Sequence, residues 1–318
     1  MFVAGLLSLV FGANNFDLPT VFKSIFAFDE NVYDERIIHN MRLPRLVADI
    51  IVGVSLSVAG AIMQGTTKNP MADSGIMGIS SGATLGVVVV LAFIPEAGRF
   101  EKMGVSALGA GLVTLLIYTI AFVGKGKITP DRMVLSGMAI STLLTSMTTA
   151  IVLQNGLMLK MVRYTSGSSA NTIWADVFVA LPFFLSGFVI SIVLSRSLTV
   201  MNLGEEVSKS LGANVTLIRT LSTIVVLILS AVAVIIIGPV GYIGLMIPYI
   251  ARYMVGTDYR FVIPTCAVYG AAFVVTVDFI ARIIDPGMEF PIGLLITIVG
   301  VPFFVYVSRR QEGDQFYG

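Results

Sequence analysis

Residues 190–200, ISIVLSRSLTV, and residues 217–238, LIRTLSTIVVLILSAVAVIIIG, are two apolar runs that enclose residues 204–212, GEEVSKSLG. The runs set the fold class and the insert sets the question. An apolar stretch of about 20 residues, rising ~1.5 Å per residue as a helix, crosses ~30 Å of hydrocarbon. A passive connector between two such helices needs only a few polar residues. This one holds Glu205, Glu206 and Lys209 in a helical turn bracketed by Gly204 and Gly212, with Leu211 at its end. Such an insert is suited to being gripped by another protein; the alternative is a solvated loop.

Composition agrees with a lipid environment. Of 318 residues, 56% are hydrophobic and 12% charged, and the mean hydropathy is +0.92. A soluble domain carries about 25% charge. The net charge of +1 leaves no polybasic surface for nucleic acid. Cys266 is the single cysteine, so no intrachain disulfide forms, and His39 is the single histidine, so zinc sites built on several histidines are excluded.

The expected spans are 44–64, 76–95, 103–123, 132–153, 174–195, 217–237, 261–281 and 290–308. Two further segments are irregular. Residues 1–12, MFVAGLLSLVFG, reach only about 18 Å as a helix. They read as a shortened first helix or as the remainder of one that starts upstream; a cleaved signal peptide lacks its basic region and a clear cleavage site. Residues 242–255, YIGLMIPYIARYMV, contain Pro248, whose missing donor calls for shielding by protein. Counting both gives about ten crossings in one all-α polytopic membrane domain over 1–318. With the N-terminus inside, cytoplasmic loops carry eleven Lys and Arg and outer loops nine, a weak positive-inside bias. This orientation puts GEEVSKSLG in the cytoplasm and the acidic loop 13–40 outside. Residues 69–86 and 238–256, both Gly/Pro-interrupted and about 170 apart, echo each other, as broken helices do in transporters with repeated halves.

Several chemistries are missing. No GxxxxGK[ST] occurs, and GKGKIT (124–129) lacks its spacing, so the chain is not expected to hydrolyse ATP. Asp49 lies four residues after Arg45 and Asp278 four before Arg282, spacings at which each pair can neutralise itself. An ion-coupled secondary transporter would sooner show an unpaired acid, and an intramembrane enzyme would need a nucleophile or metal set. The motif RLPR (42–45) opens one span, and Arg282 closes another on the same side. Arg42, Arg45 and Arg282 can therefore ring an outer mouth, to meet glutamates of a partner or draw in an anionic solute; the alternative is snorkelling to lipid phosphates.

Five segments occur in order: RLPR, GVSLSVAGAIMQGTTKNPMADSGIMGISSGA (53–83), NLGEEVSKSLGANV (202–215), GPVGYIGLMIPYIARYMVGTDYR (238–260) and EFPIGLLITIVGVPFF (289–304). In these the chain, from about residue 40 to its end, resembles the FecCD family of permeases, which serve type II ABC importers of vitamin B12, ferric siderophores and haem.

The resemblance implies two permease subunits, alike or different, of about ten helices each around a path at their interface. It also implies two ATPase subunits holding ATP and Mg, and an extracytoplasmic substrate-binding protein, all at a bacterial cytoplasmic membrane. No cofactor is expected on this chain. The cargo expected first is a ferric siderophore, with vitamin B12 and haem as alternatives. Residues 202–215 match the cytoplasmic loop whose two short coupling helices sit in ATPase clefts: Gly204, Glu205, Glu206, Lys209, Leu211 and Gly212. Gly212 is expected to end the turn in a left-handed cap. Arg42, Arg45 and Arg282 match the outer arginines that meet the binding protein. Gln64 and Asn69 match the cytoplasmic gate, and Thr129, Pro130 and Asp131 a second gate segment, where the family has small hydroxyl residues instead of Pro130 and Asp131. Ser141, Thr142 and Thr145, with Ser146, Thr148 and Thr149, are expected to line the path; the alternative is bonding to the preceding turn. Tyr249 replaces the family's common histidine in PYIAR, and Tyr164 stands near a frequent tryptophan.

Overall fold

The computed structural model describes residues 1–12, 14–73, 78–123, 130–284 and 290–316. They form α1 (Phe2–Val10), α2 (Leu18–Phe26), α3 (Tyr33–Ile37), a π turn (Ile38–Arg42), α4 (Leu43–Thr67), α5 (Ile79–Phe93), α6 (Arg99–Val123), α7 (Pro130–Gln154), α8 (Met158–Thr165), α9 (Trp174–Asn202), α10 (Glu205–Ser210), α11 (Val215–Ile237), α12 (Ile243–Val255), α13 (Tyr259–Ile284) and α14 (Ile292–Phe316). No strand occurs among the described residues.

Each of the eight expected spans holds a helix, the second and last beginning only at Ile79 and Ile292. Among the described residues six helical runs are long and apolar enough to cross a membrane, and three shorter apolar helices, Ile79–Phe93, Ile243–Val255 and Ile292–Val307, join them. Their ends define two faces of the bundle. The starts of α4 and α9 and the end of α13 share one face, called here the arginine end. The end of α9, α10 and the starts of α11 and α13 share the other.

α4 is the axis, buried along almost its whole length. Small residues explain the close approach of its neighbours. A Cβ on Gly53 would collide with the Gly270 backbone of α13, and one on Gly60 with the Gly244 backbone of α12. These glycines are seven residues apart, two turns on one face. Where lipid supplies no hydrophobic drive between helices, packing of this kind holds them. Ser57 strengthens the first contact by donating to the Cys266 carbonyl at 2.8 Å.

The two interrupted segments share a geometry. α5 starts after Gly78 at φ 74° and α12 after Tyr242 at φ 68°. Both are short, and α12 buries Pro248, as its missing donor requires. Tyr249, in place of the histidine, packs edge-on against Phe303 with ring centroids 5.6 Å apart, joining α12 to α14. The loop after α8 ties the helix ends together: Ser168 N–H donates to Ile237, and the Gly167 carbonyl accepts from Ile292.

The stretch 13–40, read as a loop, instead folds into α2, α3 and the π turn. His39 is more than a loop residue: its ring stacks on Phe28 at 4.1 Å, and its carbonyl accepts the Trp174 indole N–H at 2.8 Å, pinning the stretch to α9.

Candidate functional site

The insert between α9 and α11 is a rigid projection. Gly204 caps α10 at φ 123°, and Gly212 follows it at φ 79°, so both turns use conformations that glycine adopts at no steric cost. Ser208, fully buried, donates to the carbonyls of Val200 and Gly204 at 2.9 and 2.5 Å. Asn214 caps α11 by accepting the Leu217 N–H. Glu205 accepts from Lys209 Nζ at 2.8 Å and Arg219 Nη2 at 3.0 Å. The hydrogen bond from Lys209, then the charge of Arg219, holds the Glu205 carboxyl below its ordinary value.

The two glutamates therefore differ. Glu205 braces the loop against α11. Glu206 is exposed, beside Val207 at 45% and Leu203 and Leu211 at 63% exposure. Three large apolar side chains are held outward on a braced turn, rimmed by Glu206 and Lys209, and form an apolar knob. Arg219 as the brace is a residue that motif reading missed; it lies fourteen positions away. A second short helix, expected from the resemblance, is not formed here: α11 starts directly at Val215.

The projection connects to the bundle beyond α9. Thr199 Oγ1 donates to Asp258 Oδ1 at 3.0 Å and accepts the Tyr259 N–H at 2.9 Å, tying α9 to the start of α13. Arg260 holds the Asp258 carboxyl well below its usual value by hydrogen bonds.

At the other face the three expected arginines do come together, but turned inward. Arg42 is 8% exposed; it donates to the Leu9 carbonyl at 2.6 Å and to the Asn14 carbonyl, with its guanidinium 4.4 Å from the Phe16 ring centre. Arg45 donates to Asp278 through Nε at 3.0 Å and Nη2 at 2.5 Å. Arg282 donates to Asp278 at 3.0 Å and to the carbonyl and hydroxyl of Ser8. Of the two expected i, i+4 pairs, Asp278–Arg282 forms and Asp49–Arg45 does not: Arg45 turns to α13. Asp49, fully buried, faces Asp278, Arg45 and Ser169, but neither oxygen has a hydrogen-bond partner of ordinary geometry.

The expected gate residues are dispersed. Gln64, 3% exposed, donates to the Gly244 carbonyl at 3.1 Å and so ties α4 to α12. Asn69 folds its own loop by accepting the Met71 N–H at 2.9 Å. Thr129 lies outside the described residues; Pro130 and Asp131 open α7, and their backbone alone is described. On α7, Thr142, Ser146 and Thr149 donate to the carbonyls four residues before them. Bonding to the preceding turn is thus realised, yet with Thr145 they still form one exposed hydroxyl stripe. Ser141 sits at the Gly78 turn, 3.1 Å from where a Cβ there would stand.

Residues 1–310 match the model of the FecCD transport family. The chain belongs to the FecCD transport family. It is 37% identical over 306 residues to the iron(3+)-hydroxamate import system permease protein FhuB of Bacillus subtilis (strain 168), covering 96% of this chain and 80% of that one. It is 37% identical over 311 residues to the Fe(3+)-citrate import system permease protein YfmD of the same organism, covering 98% and 92%. A solved chain described as a metal-chelate type ABC transporter in an inward-facing conformation superposes with a TM-score of 0.86 at 25% identity, covering 97% of this chain and 96% of that one. The protein is a multi-pass membrane permease subunit of an ABC importer. ATP hydrolysis belongs to its partner ATPase, and a substrate-binding protein is its other class of partner.

Proposed function

We propose that this permease carries ferric siderophores across a bacterial cytoplasmic membrane. α10 takes its ATPase subunit, and the arginine end takes the substrate-binding protein. Two permease subunits, identical or related, enclose the path between their α7 faces. The observation that carries the reading is the α10 knob: a braced, outward apolar turn that a solvated loop would have no cause to build. Both quoted relatives are named for importing ferric chelates, which supports that cargo over vitamin B12 or haem.

Closure of the ATPases on ATP would move α10. Ser208 passes the movement to α9, and Thr199 passes it to α13, so the lever continues as packed helices toward the far face. A stiff element transmits such a rigid-body shift between two packed states. Hydrolysis then resets the state, and weak contacts along the path let the cargo leave.

The test is uptake of labelled ferric hydroxamate, ferric citrate, haem and cobalamin by the reconstituted complex. Replacing Val207 and Leu211 by glutamate should abolish ATPase association and uptake while the permease still inserts. Unchanged association would remove the coupling assignment. For the arginine end, Arg42 and Arg282 are largely buried, but their net positive charge acts at the surface above them; charge reversal at both should weaken binding-protein docking more at low salt than at high, since charge acting across a surface is screened. A salt-independent result would restrict these arginines to holding α1.

A further inference from the structure

A cavity of about 290 Å³ lies between the start of α5, the inner edge of the α7 stripe, and α8. Among the described residues its polar lining is hydroxyl, Ser80, Ser81, Thr145, Thr148, Thr149 and Thr165 among others, with no charged side chain. Thr149 and Thr165 already donate to carbonyls of their own helices. Thr148 does not. It is 4% exposed, and its Oγ1 has no hydrogen-bond partner, an arrangement that costs free energy unless something enters to use it.

The second observation is the helix end. α5 runs fifteen residues, and no side chain caps its start at Gly78. The first N–H groups of a helix have no carbonyl partner within it, and the peptide dipoles give that end roughly half a positive charge. Ser80 and Ser81 sit in this first turn and face the cavity. Among the described residues no side chain caps these donors and no carboxylate lines the cavity beside the partial positive charge, which is the chemistry of an anion site.

We propose that this cavity is a waypoint for the anionic oxygens, carboxylate or catecholate, of a ferric chelate crossing the permease. The proposal rests on the cargo reading above. Neutral hydroxyls and a half-charge bind an anion more weakly than arginine does, which suits a site that must release.

Cys266 is the single cysteine of this chain and is fully buried, so an added cysteine is this chain's one accessible thiol, and partners are made cysteine-free. In the assembled importer, Thr145→Cys at the exposed rim is modified with an anionic sulfonatoethyl and a cationic trimethylammonioethyl thiosulfonate. The ratio of rates is divided by that for free cysteine. An anion preference of about fivefold or more is expected, falling toward one when Thr148→Val and Ser81→Ala are added. A ratio of one or less overturns the site. Thr149→Cys provides a second position should Thr145→Cys fail to assemble. Ferric citrate is then added as competitor and should slow modification, whereas a cationic ferric hydroxamate should not. Protection by inorganic phosphate with none by any ferric chelate would overturn the cargo role while leaving the anion preference standing.

Discussion

The carboxylate of Asp278 is the counter-charge for two guanidiniums, and Asp278→Asn is the substitution that tests it. The change keeps the shape and removes the charge. In the wild type, Arg45 and Arg282 both donate to this fully buried group, and Ser169 adds a longer contact at 3.3 Å. Removing one partner of a buried pair costs about 3–5 kcal/mol, because the remaining charge stays behind. Two features lower that figure. The arginine side chains keep 16% and 14% exposure, and Arg282 retains its bonds to Ser8. The expected cost is therefore about 3 kcal/mol, at the bottom of the range.

Asp49 makes the test sharper. It faces the same cluster and can take over as counter-charge once Asp278 is neutral. Asp49→Asn alone should then cost little, and the double variant should cost more than the sum of the two by about 1–2 kcal/mol, within the range for side chains that share partners. Equilibrium unfolding in mixed micelles measures all four corners of this cycle. A single-variant cost below about 1 kcal/mol with additive doubles would refute the reasoning; the guanidiniums would then be held by lipid headgroups and water.

At Gly60 an added Cβ meets backbone and not a movable side chain, so Gly60→Ala should destabilise by at least the ~1–3 kcal/mol of overpacking. Gly111, also helical, has nothing within 4 Å of such a Cβ, so Gly111→Ala should be neutral or stabilising by up to about 1 kcal/mol in the same unfolding assay. The two glutamates of α10 should separate: Glu206→Lys should lower ATPase association at least tenfold in a pull-down titration. Glu205→Gln removes only a surface brace worth about 0.3–1 kcal/mol and should leave association within about fivefold. The Glu205 carboxyl lies below its ordinary value of 4.5 in the folded protein, so its brace is fully present above that value and lost only as the pH falls through the depressed one. ATPase coupling from pH 6 to 8 should thus follow the same profile in wild type and Glu205→Gln, and a divergence within that window would contradict the assignment.

The parts of this fold legible in the sequence are those set by local chemistry. Long apolar runs marked the eight helices, six of them long enough to cross a membrane among the described residues, because lipid leaves the backbone no alternative to helix. Pro248 marked α12 as shielded, and Gly212 ended its turn in the left-handed region, since each residue's own backbone decides the matter. The pieces α2, α3 and α8 left no such mark. They are short, and what holds them is contact with distant helices, as when His39 meets Trp174 across 135 positions. The arginine end shows the same limit. Spacing alone joined Arg45 to Asp49, one turn away, yet α13 delivers Asp278 from 233 positions off and in better geometry. A buried carboxylate in lipid must find a counter-charge, so the need for a partner could be read from Asp278 while its choice could not. That choice depends on how closely α4 and α13 approach, which Gly53 and Gly270 set. A bulky residue at either glycine should therefore disturb the charge cluster from a distance, by parting the two helices that bring its members together.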